Sequence, residues 1–151
     1  MSANSDLIDL YSQKILGLAA DIPHRGRLEG AQATVKKRAP LCGSTVTVDL
    51  DLDADGRIAR FGQDVKACAL GQASAALFGR NAIGRTRPEV EAARDALRAM
   101  LKEGGDPPGT PFDGYEVLAP ARDYKNRHAS IMLALEATAE AMAEAERAAC
   151  A

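Results

Sequence analysis

Between residues 45 and 52, Val46, Val48, Leu50 and Leu52 alternate with Thr45, Thr47, Asp49 and Asp51, the period of two that gives a strand one apolar face. Asp53-Ala54-Asp55-Gly56 follows as a hairpin turn in which Gly56 is free to take positive φ. The return strand runs from about Arg57 to Val65, with Ile58 and Phe61 as its apolar contributions. A weaker alternation precedes these two: over residues 31 to 38, Ala33, Val35 and Lys37 oppose Gln32, Thr34 and Lys36. Together they predict a three-stranded antiparallel meander over residues 31 to 66 with one buried face.

The remaining segments have helical spacing. Ser5 or Asp6 can cap a helix reaching about Ala20, with Leu7, Leu10, Tyr11, Ile15 and Leu18 on one stripe, and Pro23 and Gly26 end it. After Cys68 a run of small residues with Leu70, Leu77 and Phe78 reads as a short helix lying close on the sheet. Pro88 and Glu89 open another, whose buried face is Val90, Ala93, Leu97, Met100 and Leu101 and whose stop is Gly104-Gly105. The breakers of residues 106 to 111 make a loop, and Phe112 to Leu118 a turn packing back on the core. Residues 127 to 149 form a long alanine-rich helix with Ile131, Leu135, Thr138 and Met142 on one side and Glu136, Glu140 and Glu144 on another. The fold class is therefore α+β, a three-stranded antiparallel sheet with helices packed on one face, and no repeat or domain boundary divides residues 1–151.

Composition narrows the function classes. A hydrophobic fraction of 46% with 26% charged residues suits a folded soluble domain, and a net charge of -2 with 4% aromatics argues against a base-stacking nucleic-acid surface. No apolar run approaches the roughly 20 residues that span a bilayer, and the N-terminus has no basic and then apolar leader. The expectation is a cytoplasmic protein that binds neither nucleic acid nor membrane. Three cysteines in a chain of 151 residues point to thiol chemistry rather than a disulfide framework.

Two of those thiols stand in telling places. Cys42 lies in Pro40-Leu41-Cys42-Gly43-Ser44, backbone that cannot be helix, just after the basic run Lys36-Lys37-Arg38. Cys68 precedes a helix, whose free N-H groups favour a thiolate. His128 opens the last helix, and two thiolates with an imidazole form a donor set suited to zinc or iron-sulfur iron. Each has a plainer reading: Cys68 as a small buried hydrophobe, His128 as a cap, His24 as a loop residue, Cys150 as a tail thiol and Lys36-Lys37-Arg38 as an exposed strand edge.

At these residues the chain resembles the U-type iron-sulfur cluster assembly scaffolds, the family of IscU, SufU and the N-terminal domain of NifU. Leu10 to Ile15 is similar to that family's opening helix, and Ile22-Pro23-His24-Arg25-Gly26-Arg27-Leu28 to its Asn-Pro-x-x-x-Gly-x-Leu loop. Pro40 to Ser44 is similar to Pro-x-Cys-Gly-Asp, and Cys68 with its Ala and Ser run to the second cysteine motif. Arg122 and Arg127-His128-Ala129-Ser130-Ile131 fall where the third cysteine segment belongs, at a spacing nearer the SufU branch. Two departures accompany the agreement: Ser44 stands at the family aspartate and His128 at the third cysteine.

The resemblance implies a scaffold without catalysis of its own, holding iron or an iron-sulfur cluster through Cys42, Cys68 and His128. Zinc is the alternative metal. Ser44 is a doubtful ligand, and Asp64, Asp123 or a water is a candidate for the fourth position. It further implies a cysteine desulfurase and cluster-accepting proteins as partners. Two other readings remain: a zinc-dependent sulfur acceptor of SufU type using Cys42, since histidine cannot carry a persulfide, and a degenerate family member that is a metal-free binding module.

Overall fold

The structure, a computed structural model, describes residues 12–150, the side chain of Cys150 excepted. The expected caps Ser5 and Asp6 and the stripe residues Leu7, Leu10 and Tyr11 lie outside the described residues, as does the Cys150 thiol. In chain order the elements are α1 (Gln13–Ala20), β1 (Ala33–Arg38), β2 (Thr45–Leu52), β3 (Ile58–Lys66), α2 (Ala69–Gly79), α3 (Arg87–Glu103), a 3-10 segment (Asp113–Asp123) and α4 (Lys125–Cys150).

The strands pair antiparallel in the order β1-β2-β3. Register sets Val46 opposite Val65, Val48 opposite Gln63 and Leu50 opposite Phe61 on the face that meets the helices. The expected turn closes β2 onto β3: Gly56, at φ 77°, donates to the Asp53 carbonyl, and Asp53 Oδ1 accepts from the backbone of Asp55 and Arg57. Helix α4 crosses β1 and β2, α2 packs on α4 and α1, and α3 covers α4 from outside. One apolar core joins sheet and helices, from Val48 and Leu50 through Phe78 and Leu97 to Ile131 and Leu135. Among the described residues no helix is long and apolar enough to cross a membrane.

The other face of the sheet is not simply solvated, as alternation alone implies. Thr47 and Asp49 are buried along with Val46, Val48 and Leu50, because the loop after α1 folds over them. Residues 24 to 26 first pair with the edge of β3, His24 accepting from Gln63 N and Gly26 donating to Gln63 O. The chain then crosses the outer face at Gly62, where a Cβ would sit 2.9 Å from both Gly26 O and Leu28 Cγ. Beyond it, Arg27 reaches the Asp49 carboxylate at 2.7 Å, Leu28 N donates to it at 3.0 Å, and Thr34 Oγ1 donates as well. Burial raises the cost of that charge, but these hydrogen bonds outweigh it and hold the Asp49 carboxyl below its usual range.

Helix α3 shows a start signal stronger than proline alone. Thr86 caps it through Glu89 N while the Glu89 carboxylate returns to Thr86 N, a reciprocal box, and Gly104 ends it at φ 70°. After the loop, Tyr115 of the 3-10 segment is fully buried and donates to Ser74 O at 2.7 Å, and Ser74 Oγ donates to Ile131 O at 2.6 Å. These bonds fasten α2, the 3-10 segment and α4 to one another.

Removing the Asp49 charge leaves Arg27, Thr34 and Leu28 N without their shared acceptor, so Asp49→Ala is expected to cost about 2 kcal/mol at pH 7 in urea unfolding. A depressed carboxyl stabilises the fold above its unfolded value of about 3.9 and loses that contribution as pH falls toward its own lower value. The gap between the two proteins therefore closes in that acid window. A gap of equal size at pH 7 and below pH 3 would contradict this account.

Candidate functional site

At the end of the sheet opposite the hairpin, three chain segments bring the two thiols toward one another. The first is the β1–β2 connection. Ala39 N donates to Ser44 O at 2.8 Å and Gly43 N to Ala39 O at 3.0 Å, closing a tight loop in which Gly43 takes φ 72°. That conformation carries almost no steric cost only for glycine. It leaves Leu41 and Cys42 exposed and turns Ser44 inward, 5% accessible.

The second segment leaves β3 and starts α2. Cys68 is the residue before the first turn, with extended backbone at φ -66° and ψ 170°, and is half-buried. Its side chain makes no cap to the helix, so the sulfur is left for the site.

The third is the start of α4, and it carries the outcome that sequence reasoning missed. Ser130, 1% accessible, stands between the other two segments. Cys42 Sγ donates to Ser44 Oγ at 3.1 Å, Ser130 Oγ donates to Ser44 Oγ at 3.1 Å, and Cys68 Sγ lies 3.5 Å from Ser130 Oγ. A continuous polar chain thus links the two sulfurs through two hydroxyls. Gly71 makes the approach feasible, since a Cβ there would overlap Ser130 Oγ and fall 3.2 Å from Ser130 O.

His128 does not join the thiols. It is buried, and its Nε2 lies 3.0 Å from both the Ala121 and Arg122 carbonyls, where an N-H donor caps the end of the 3-10 segment. Two residues on a helix of 3.6 per turn are about 200° apart, so when Ser130 faces the thiols His128 faces away. Among the described residues no three of the His, Cys, Asp and Glu side chains are grouped to hold a metal. Of the expected set Cys42, Cys68 and His128, the structure brings the two thiols together with Ser44 and Ser130 and places His128 apart from them. Neither candidate for the fourth position is drawn in: Asp64 is opposite Thr47 on the outer face of the sheet, and Asp123 lines a cleft beside His128.

The surroundings of Cys42 favour its thiolate. Cys42 is held below the ordinary thiol range, chiefly because the Ser44 hydroxyl can turn to donate to its thiolate, with Ser130 and backbone N-H groups adding to this. The hydroxyl, rather than the basic run upstream, is the main cause, and Lys37 of that run is engaged with Glu140 at 3.1 Å. Once Cys42 is a thiolate, every donor in the chain can point the same way, Cys68 S-H to Ser130, Ser130 O-H to Ser44 and Ser44 O-H to Cys42. Such aligned bonds reinforce one another.

Comparison with known proteins returns the same α+β fold. The profile of the NifU-like N terminal domain family matches residues 10–130, and the chain belongs to that family. It is similar to the crystal structure of a nitrogen-fixing NifU-like protein (N-terminal) from Brucella abortus, with 43% identity, a TM-score of 0.90, and coverage of 94% of this chain and 98% of that one. A putative iron-sulfur cluster assembly scaffold protein for the SUF system from Fervidobacterium islandicum shares the fold at 20% identity and a TM-score of 0.77, over 89% of this chain and 98% of that one. Comparison with curated proteins finds no match.

Alkylation by iodoacetamide tests the role given to Ser44. Followed by peptide mass spectrometry on metal-free protein, the pH midpoint for Cys42 is expected below the free-thiol value of about 8.5 and is expected to rise in Ser44→Ala. Identical midpoints in the two proteins would remove Ser44 as the cause.

Proposed function

We propose that this chain is an iron-sulfur cluster assembly scaffold in which Cys42 and Cys68 hold the cargo and Ser44 and Ser130 line the remaining corners. The observation that carries the proposal is the hydrogen-bonded chain from Cys42 through Ser44 and Ser130 to Cys68. Two of its members, Cys42 and Cys68, are residues that the resemblance marks as ligands, and Ser130 stands beside them where His128 was expected. Iron, zinc or a nascent cluster is cargo here, and the donor set suits cargo. Two thiolates are strong soft-metal ligands, whereas two hydroxyls are weak neutral donors that add no charge. Such a site grips less firmly than one with an aspartate and a third thiolate, and release is correspondingly easier.

The two sulfurs divide the work. Cys42, exposed on its loop and favoured as the thiolate, is the one a cysteine desulfurase can reach. Its thiolate attacks the terminal sulfur of the donor persulfide, forming a Cys42 S-S bond as the donor cysteine leaves as thiolate. Cys68 and the two hydroxyls shield the inner side of the site. The chain supplies surface and ligands, and a cluster-accepting protein takes the product away. The exposure of Cys42 also favours a second reading, a sulfur acceptor that holds zinc between transfers.

Anaerobic reconstitution with ferrous iron, cysteine and a cysteine desulfurase, followed by iron and sulfide analysis, tests the proposal. Wild-type protein is expected to hold both elements and Cys42→Ala and Cys68→Ala to lose them. His128→Asn, which keeps an N-H donor for the two carbonyls, is expected to retain them. Joint Ser44→Asp and Ser130→Cys substitution is expected to tighten metal binding by at least about tenfold, or about 1.4 kcal/mol. Zinc retention with faster desulfurase turnover but no cluster would favour the second reading. Wild-type protein that takes up neither metal nor sulfur would reduce the chain to a binding module.

A further inference from the structure

On the opposite side of α4 from the thiols lies a cleft of about 670 Å³, bounded by the C-terminal half of α3, the end of the 3-10 segment and the first turns of α4. Its volume falls within the roughly 300–1,000 Å³ typical of small-molecule sites. We propose that this cleft binds a small, multiply charged anion that carries an apolar body.

The lining divides by depth into the two parts such a ligand needs. Leu101 and Met132, 1% and 3% accessible, make an apolar floor beside Ala129. Lys102, Arg122 and Lys125 stand exposed around it. Many cations of this chain are already matched: Arg87 meets Glu91 and Glu146, and Arg98, also on the cleft, meets Asp95 and Glu136. Among the described residues none of Lys102, Arg122 and Lys125 has a carboxylate at salt-bridge distance. The pairing with Arg98 also occupies the Glu136 carboxylate, so among the described residues Asp123 is the one acid on the rim left to oppose these three cations. In a protein whose net charge is -2 this is a local reversal of sign.

Two features of the backbone build the cleft rather than leave it to chance. The Arg122 side chain passes close over Gly104, the left-handed cap of α3, where a Cβ would lie 3.0 Å from Arg122 Nη1. The buried His128 imidazole grips the carbonyls of Ala121 and Arg122, which fixes the wall that carries the guanidinium. The planar donor fork of Arg122 suits a phosphate or carboxylate, and the two lysines add charge. The burial of His128, which the thiol site does not use, thereby acquires a role.

Phosphate esters and polycarboxylates share the required chemistry, and one titration separates them. Cys42→Ala protein without metal is titrated with phenyl phosphate, with phenylsuccinate and with inorganic phosphate, following the amide signals of Ala129 and Met132. Saturable shifts are expected for at least one aromatic dianion with a Kd below about 1 mM, and the tighter of the two names the source. The joint Lys102→Ala and Arg122→Ala variant, its fold checked by circular dichroism, is expected to bind at least tenfold more weakly. Inorganic phosphate binding as tightly as either aromatic probe would overturn the apolar part of the proposal. Absence of saturation with both aromatic dianions, or equal affinity in the variant, would overturn the whole.

Discussion

The thiol end of this molecule depends on how closely α4 can approach α2. At Gly71 the absent side chain lets Ser130 press against the backbone of the neighbouring helix. A step further in, Ser74 donates to the Ile131 carbonyl and holds the two helices at that separation. Without this approach Ser130 would not reach Ser44, and the two cysteines would be isolated thiols on separate segments. Small residues in α2 are therefore a condition of the site as much as of the core, and the buried Tyr115 hydroxyl that donates to Ser74 O extends the same clamp to the 3-10 segment.

The chemistry of the site follows from charge. Cys42 and Cys68 can present two negative sulfurs, and the serines between them present none. On the proposed function, a metal ion bound there would keep more of its own charge unneutralised than with a carboxylate and a third thiolate in place, which suits temporary custody. The hydroxyls serve the empty state instead, by solvating the Cys42 thiolate and linking it to the more sheltered Cys68. Exposure is graded in the same sense: Cys42 on the loop is open to a partner, Cys68 is half-buried, and Ser44 and Ser130 are enclosed.

Much of the fold could be read from residue order, and the failures have identifiable causes. The meander was legible because β2 and β3 alternate cleanly and Gly56 marks their turn. Burial of Thr47 and Asp49 was not, since it depends on a loop twenty residues upstream folding over the back of the sheet. Thr86 and Glu89 at the start of α3 spelled a capping box, a stronger signal than the proline between them. The placements of Cys42 in a tight loop and Cys68 before a helix were legible from their neighbours. That Ser130 and not His128 lies beside the thiols was not legible, because α4 is enclosed on most sides by β1, β2, α2, α3 and the 3-10 segment. With Ile131 through Leu135 all buried, apolar spacing could not identify which face meets the thiols. The usable signal was size: Ser130, Ala134, Ala137 and Ala141 form the small-residue row that a close helix crossing requires.

The central claim is that a serine, and not the histidine two residues before it, stands with the cysteines. X-ray absorption at the metal edge of protein loaded with one equivalent of zinc addresses it most directly. The expected spectrum has two sulfur neighbours at about 2.3 Å, oxygen neighbours completing the shell, and none of the outer-shell scattering of an imidazole ring. A clear imidazole signature, or a shell without sulfur, would contradict the account.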